Sequence, residues 1–309
     1  MDDDDQADPM VPALAPAVVV LTQLFDAAAV SCGIGVALTD SPAMAELAGI
    51  PSHAPFDASN VEAALSNAVM LRFAASDAVR QFAKMCESQP VPVFAHLAVA
   101  RAGVEAAAIG FWLSDPDITA EERVQRYEML ALRNAIEMKR SPDKEIHGRG
   151  VSSLALIRAR CEQRGWEAVA NKNRVAVARV ELPGSGQMIK NLLDSDVGVD
   201  RLSLGEHAWW FWSGTAHGTN YALLDSVDAS GITSGSEIST VASFVVSAQK
   251  VTWAALILGH GFVRLMKRQR AFFGWPEEPW ASAVEDFAQF VRDYSAAVTA
   301  LEASGDSPT

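Results

Sequence analysis

The twelve residues His207-Ala-Trp-Trp-Phe-Trp-Ser-Gly-Thr-Ala-His-Gly218 hold three of the eight tryptophans of the chain, together with two histidines and a serine. Aromatic side chains at this density normally fill a core, and polar groups among them need hydrogen-bond partners. If the segment is helical, Ser213 and His217 are four residues apart and share a face. We therefore expect a central helix from about 206 to 227, and we place the first candidate site at Ser213 and His217.

A second apolar segment extends from residue 93 to 113, and His96, Arg101 and Glu105 are its only strongly polar residues. A helix that is apolar on every side is a central, buried one. Arg101 and Glu105 are one helical turn apart, and an unpaired charge there would cost several kcal/mol. We expect a largely buried, hydrogen-bonded pair, with roughly 3–5 kcal/mol lost when either residue is replaced singly. The pair either fixes the register of the helix or belongs to a charged cluster in a pocket.

Helix-start patterns occur at Ser41-Pro42, Ser59 and Thr119. Helical spacing also predicts helices over 151–169 and 239–273, the second with a kink at Gly259-His-Gly261.

The helix after Thr119 is amphipathic, and its apolar spacing places Tyr127 and Leu130 toward the core. Arg123 and Arg126 are expected on its solvated face, although Arg123, one turn before Tyr127, could also turn inward.

Strand-like sequence is confined to residues 174–186, which predict at most one short hairpin. The sequence as a whole predicts an all-α, single-domain helical bundle of about eight to ten helices over residues 11–304. An acidic disordered tail is expected at 1–10 and a short tail at 305–309.

The chain is acidic, with 38 Asp and Glu against 25 Lys and Arg and a net charge of −13. This charge favours solubility and argues against a broad surface for nucleic acid or anionic lipid, while a local basic pocket remains compatible with it. The one concentrated basic patch, Arg264 to Arg270, is interpreted as cations that complement the dipole at a helix C-terminus.

Three well-separated cysteines, Cys32, Cys86 and Cys161, indicate buried, reduced thiols and a cytoplasmic protein. The apolar run from Val11 to Leu38 contains Asp26 and few basic flanks, so it predicts a buried helix and no membrane partner. Because no metal-binding pattern such as H-E-x-x-H occurs, neither a metal nor a cofactor is expected.

The segments Phe94 to Trp112 and Glu122-Arg123-Val-Gln-Arg126 resemble uncharacterised helical proteins of actinobacteria, as does Trp212-Ser-Gly-Thr-Ala-His-Gly218. More distantly, the Ser-x-x-x-His-Gly helix is similar to HEPN-type helical domains, many of which cut RNA in toxin and abortive-infection systems. The HEPN nuclease motif also has an arginine shortly before the histidine. For His217 the corresponding positions hold Trp210, Phe211 and Trp212, which departs from that motif.

Two hypotheses about function follow. In the first, Arg101, Glu105, Ser213 and His217 form a buried polar network or pocket of a non-enzymatic protein, which binds a small apolar ligand or a protein partner. In the second, implied by the HEPN resemblance, the protein is a metal-independent RNA-cutting enzyme. His217 would then be the general acid or base, Arg101 would stabilise phosphate charge, and Ser213 and Glu105 would orient them. The acidic charge and the missing arginine favour the first, and a homodimer is left open.

Overall fold

The computed structural model describes residues 10–32, 37–88, 91–92, 94–171, 174–194, 203–216, 227–228 and 245–304. Helices make up 77% of the described residues, which confirms the all-α bundle. The ten helices in these ranges are α1 Met10–Cys32, α2 Pro42–Ala48, α3 Ala58–Glu87, α4 Ala95–Leu113, α5 Ala120–Lys139, α6 Lys144–Gln163, α7 Ser185–Asp194, α8 Leu204–Ala216, α9 Ala248–Phe273 and α10 Trp280–Ser304. The predicted tails at 1–9 and 305–309 lie outside the described residues.

Side chains cap several of these helices where the sequence predicts a start. Ser41 accepts a hydrogen bond from the Met44 backbone N–H, and Thr119 accepts one from Glu122. The cap of α3 is Asp57, two residues before the predicted one, and Asp57 and Asn60 bond each other's backbone N–H groups reciprocally. A carboxylate at this position stabilises a helix in the same way as the expected serine.

Helix α4 is the central element, as its apolar sequence predicts. It packs on α3 and α9 over most of its length, and on α7 and α8 from another side. A Cβ atom at Gly103 would lie 2.6 Å from the Leu258 side chain and 2.7 Å from that of Ala78. At Gly110 the corresponding distance to Leu265 would be 3.1 Å. The absence of side chains at these two positions therefore lets α3 and α9 approach α4 closely from two sides.

The C-terminal end of α4 is capped by arginines from two other helices. The last carbonyl groups of a helix have no partner within it. Here Arg268 of α9 donates to the Phe111 carbonyl, while Arg126 and Arg123 of α5 donate to those of Trp112 and Leu113. These cations also lie at the negative end of the helix dipole.

The solvated face expected for Arg126 was therefore wrong, and of the two alternatives for Arg123 the inward one is correct. The Arg123 side chain is 0% exposed, and its guanidinium also donates to both carboxylate oxygens of Glu46 at 2.9 Å. Arg126 is 10% exposed and bonded to Glu122. The error has a physical reason, because periodicity within α5 carries no information about the unpaired carbonyl groups of α4.

A buried carboxylate joins α5 to α6. Glu128 is 2% exposed and accepts hydrogen bonds from Arg160, at 3.1 and 2.7 Å, and from Arg164, at 2.7 Å. Desolvation of such a carboxylate is offset only by good pairing of this kind. The burial of Glu128 could not be predicted from the sequence, since a single glutamate on an amphipathic helix has no distinguishing pattern.

A small antiparallel sheet follows α6, with strands β1 Ala168–Ala170, β2 Val175–Val177 and β3 Val180–Glu181 in that order. The β2–β3 pair is the predicted short hairpin, and its two turn residues, Ala178 and Arg179, have the positive φ values of a type I′ turn. Strand β1 replaces the predicted end of a helix, because α6 ends at Gln163 and Gly165 turns the chain with φ 70°. Two further residue pairs form strands β4 Val227–Asp228 and β5 Val245–Val246.

The long helical run predicted from 239 starts later, with α9 at Ala248 after strand β5. Helix α9 continues without interruption through Gly259 and Gly261. A Cβ atom at Gly259 would lie 2.4 Å from the ring of Phe287, so this glycine permits the close approach of α10. The aromatic helix α8 ends, within the described residues, at Ala216.

Helix α1 carries the apolar segment near the start of the chain. Among the described helices, it is the one that is long and apolar enough to cross a membrane by length and composition. Leu14, Leu21 and Leu24 are fully buried, and α1 packs on α3, α9 and α10. One side of α1 is therefore buried, while Val19 and Val30 are 54% and 70% exposed, so the predicted burial holds for only part of the helix.

Two glycines of α6 provide a matched test of the packing. A Cβ atom at Gly150 would lie 2.4 Å from the backbone nitrogen of Lys139, whereas one at Gly148 would have no atom within 4 Å. We expect Gly150→Ala to lower the free energy of unfolding by about 1–3 kcal/mol, because the α5–α6 contact must open. Gly148→Ala should raise it by up to about 1 kcal/mol through helix propensity. Urea denaturation of both variants measures the difference, and equal effects would contradict the packing.

Candidate functional site

Arg101 joins α4 to the aromatic helix α8. Its Nε donates to Glu105 Oε1 at 2.8 Å, and its Nη1 donates to the carbonyl of Trp212 at 3.3 Å. The guanidinium also lies 4.9 Å from the ring centroid of Trp209. The structure thus brings Arg101 and Glu105 to the part of α8 where Ser213 follows Trp212. His217 lies outside the described residues.

The Arg101–Glu105 pair is less buried than expected. The exposed fractions of the two side chains are 18% and 31%, so water reaches both charges. Within the described residues, Trp209 of α8, itself partly exposed, lies against the guanidinium of Arg101 on this side of α4. The pair is a partly solvated ion pair that links two helices, and not a sealed polar network.

The tryptophans of α8 divide between the core and the surface. Trp212 is 1% exposed, and its ring lies 6.0 Å from that of Trp253 in α9. Its indole N–H has no hydrogen-bond partner among the described residues. Trp210 points outward and is 66% exposed. Of the three tryptophans of α8, one is therefore in the core, as predicted, one is partly exposed and one faces solvent.

His96 is a structural residue of the core. It is buried against Phe82, with ring centroids 6.0 Å apart, and its Nδ1 lies 2.9 Å from the carbonyl oxygen of Pro92. Burial lowers the pKa of His96, which favours the neutral ring.

The three cysteines are free and buried, as predicted. Burial raises the pKa of Cys86 to about 12 and those of Cys32 and Cys161 to about 11. Thiols with such pKa values are poor nucleophiles near neutral pH. None of the three is therefore a candidate for nucleophilic catalysis.

A cleft of about 390 Å³ opens beside the C-terminal end of α4. Three cations of α9 line it, namely Arg264, Lys267 and Arg268. The remaining lining is apolar and comes from Pro42, Phe111, Pro116, Ala271 and Phe272. We call this cleft, with these eight lining residues, the basic cleft.

Arg268 is the best-defined cation of the basic cleft. Its guanidinium lies 3.3 Å from the ring centroid of Phe111, and Nη1 donates to the Phe111 carbonyl at 3.1 Å. Nη1 is also 3.8 Å from a carboxylate oxygen of Asp115, which is too far for a hydrogen bond. Within the described part of the chain, Nε and Nη2 make no hydrogen bond. Arg268 is thus held in place by one of its nitrogens and has donors left for a ligand.

The electrostatic surroundings of Arg268 also favour the binding of an anion. Burial lowers the pKa of Arg268, and the positive charges of Arg264 and Arg126 lower it further. The carboxylates of Asp115 and Asp117 partly offset this effect. Even so, an arginine side chain is not deprotonated in proteins, so the group keeps its charge. A guanidinium that has lost hydration and lies near other cations is stabilised by an additional anion.

The helix dipole does not account for the three cations of the basic cleft. Helix α9 ends at Phe273, and the basic residue in its last turn is Arg270, which donates to the Pro276 carbonyl. The dipole effect falls off within the last turn of a helix. Arg264, Lys267 and Arg268 precede that turn, so the interpretation of the patch made from the sequence was incomplete.

Two other cavities lack the concentration of positive charge found in the basic cleft. One of about 450 Å³ lies between the loop at 49–56 and the N-terminal end of α5, and no lysine or arginine lines it. One of about 210 Å³ is lined by both signs of charge, and its Arg174 and Glu181 pair at 2.6 Å. In the described ranges no group of three or more His, Cys, Asp or Glu could hold a metal ion. Of these three cavities, the basic cleft is therefore the one lined by cations without a carboxylate.

Compared with known proteins, the chain matches no protein-family model, no curated protein and no solved structure. The resemblance to HEPN-type domains therefore remains an expectation from the sequence.

The geometry of Arg101 changes the expected effect of replacing it. We expect Arg101→Ala to lower the free energy of unfolding by about 1–2 kcal/mol, because a partly solvated ion pair and one cation–π contact are lost. Glu105→Ala should cost less than about 1 kcal/mol, since only the ion pair is lost. Chemical denaturation measures both, with Arg292→Ala in α10 as the exposed control. If both variants lowered the free energy of unfolding by about 3–5 kcal/mol, the pair would behave as the buried network expected from the sequence, and the partly solvated pair would be contradicted.

Proposed function

We propose that this protein is a non-enzymatic helical protein that binds a small anionic ligand in the basic cleft. The observation that carries the proposal is the position of Arg268, whose nitrogens Nε and Nη2 make no hydrogen bond within the described part of the chain. The nearest carboxylate, that of Asp115, is beyond hydrogen-bond distance. As expected from the sequence, the proposed role is ligand binding. The proposed site, however, lies at the C-terminal end of α4 and not at Arg101, and the proposed ligand is an anion and not a neutral apolar molecule.

The other two cations support the proposal by their position. Arg264, Lys267 and Arg268 are spaced three and four residues apart, so their side chains share one face of α9. Lys267 is exposed and makes no ion pair with any residue that the structure describes. Like charges at this spacing destabilise a helix slightly, and a bound anion would relieve that repulsion.

The net charge of −13 favours a small ligand over a polymer. A nucleic acid would extend beyond the cleft and meet acidic surface. A small anion would remain within the field of the three cations, since charges farther away are screened over roughly 8–10 Å at ordinary salt concentrations.

The test is binding of simple anions to the purified protein at low ionic strength. We expect at least one of sulfate, phosphate, benzoate or phenyl phosphate to raise the melting temperature in a saturable way, as a ligand specific to the folded state does. Arg268→Gln and Lys267→Gln should each weaken binding by about tenfold or more, since a hydrogen bond to a charged group is worth roughly 1.5–3 kcal/mol.

Arg292→Gln is the matched control, because it removes the same charge from an exposed position of α10, outside the cleft lining. It should leave binding unchanged. If no anion binds, or if the control loses as much affinity as the cleft variants, the proposed function is wrong.

One contact supports a second candidate function, the RNA-cutting activity implied by the HEPN resemblance. Because Arg101 donates to the Trp212 carbonyl, its positive charge lies at the end of α8 that leads through Ser213 toward His217. A cation near a general acid or base is what stabilisation of phosphate charge requires. Glu105 would orient Arg101 in this role.

Cleavage of single-stranded RNAs in the presence of a metal chelator tests this second function. If it is correct, His217→Ala abolishes cleavage and leaves the melting temperature nearly unchanged, while Arg101→Ala slows cleavage and the Arg292→Ala control does not. Wild-type protein that leaves a range of RNAs intact would rule it out.

A further inference from the structure

We infer that the ligand of the basic cleft is a phosphate monoester that carries a compact apolar or aromatic group. This inference rests on the proposed function and narrows it from an anion in general to one chemical class. It follows from the charge of the cleft, from the chemistry of its walls and from the loose contact made by Asp115.

The charge of the cleft matches a dianion better than a carboxylate. Lys267 and Arg268 contribute two positive charges, and among the described residues the carboxylate closest to Arg268 is that of Asp115, at 3.8 Å. A carboxylate ligand supplies one negative charge, whereas a phosphate monoester supplies about 1.5 to 2 near neutral pH and three acceptor oxygens. Phosphate recognition by the planar fork of arginine together with the point charge of lysine is the usual arrangement in proteins.

The apolar walls of the cleft favour a ligand that carries an apolar group in addition to a phosphate. Pro42, Pro116 and Ala271 are exposed on its apolar side. Inorganic phosphate would leave this surface in contact with water, while an attached apolar group would cover it and gain affinity in proportion to the area buried. The guanidinium carbon of Arg268 lies 3.3 Å from the ring centroid of Phe111, and a guanidinium can also stack on an aromatic ligand.

Asp115 acts as a weak internal counter-ion that the ligand replaces. Its carboxylate lies 3.8 Å from Nη1 of Arg268 and 3.5 Å from Nη1 of Arg126, so it makes a hydrogen bond to neither group. Phosphate oxygens at Nε and Nη2 of Arg268 would form the charge-assisted bonds that Asp115 does not make. Asp115 therefore lowers the affinity for the ligand through like-charge repulsion.

The experiment compares three probes on the full chain by isothermal titration calorimetry at low ionic strength, namely phenyl phosphate, inorganic phosphate and benzoate. Phenyl phosphate should bind about tenfold or more tightly than either of the others, because it alone combines the dianion with the apolar group. Asp115→Asn should tighten the binding of phenyl phosphate several-fold, since it removes the repulsion and retains the backbone carbonyl that Arg123 uses.

Two cleft variants and one control keep the test decisive. Arg268→Gln and Lys267→Gln should each weaken phenyl phosphate binding at least about tenfold. Lys267 is exposed, so its variant is expected to fold even if the loss of the Arg268–Phe111 contact destabilises the other. Arg292→Gln should have no effect.

The outcomes separate this inference from the proposed function. If benzoate binds as tightly as phenyl phosphate, or if inorganic phosphate does, the cleft is an anion site and the inference about the ligand class is wrong. If Asp115→Asn weakens binding, the role given to Asp115 is wrong. If none of the three probes binds, both proposals fail.

Discussion

The carbonyl groups at the C-terminal end of α4 impose the constraint on which much of this structure depends. Helix α4 lies so close to α3 and α9 that a Cβ atom at Gly103 would lie within 2.7 Å of the Leu258 and Ala78 side chains. The last carbonyl groups of the helix have no partner within it, so they take donors from other parts of the protein. Arg123, Arg126 and Arg268 provide them, and the helix dipole favours cations at this end. The architecture thereby gathers positive charge at one place on an acidic chain.

The three arginines differ in how their charge is compensated, and this difference locates the candidate site. Arg123 forms a two-point ion pair with Glu46, and Arg126 bonds Glu122. Among the residues that the structure describes, Arg268 has only the carboxylate of Asp115 within 4 Å, at 3.8 Å. A cation recruited to cap a helix thus retains unused donors at the edge of a cleft. A structural requirement of the fold supplies the first element of a ligand site, and Lys267 and Arg264 on the same helix add charge that capping does not need.

Local physics determines what could be predicted from the sequence. The capping role of Thr119 and the contact between Arg101 and Glu105 depend on residues within four positions of one another, and both are present. The central position of α4 follows from the apolar composition of the helix itself. The burial of the Arg101–Glu105 pair could not be predicted, because it depends on how completely α8 covers α4. For the same reason Arg126 was placed on the wrong face, and the contact of Arg268 with the C-terminal end of α4 was not foreseen. The pairing of Ser213 with His217 falls outside the described residues.

The two candidate functions use different parts of α4 and can therefore be judged separately. Arg101 and Phe111 are ten residues apart, which corresponds to about 15 Å along a helix. At ordinary salt concentrations this exceeds the screening length of about 8–10 Å, so a charge change at one site has little direct effect at the other. A long RNA would experience the repulsion of a chain with net charge −13 wherever it left the cations of its site. A small dianion in the basic cleft would not experience this repulsion, since all of its charge would lie close to Arg264, Lys267 and Arg268. The charge distribution of the chain therefore favours the small ligand.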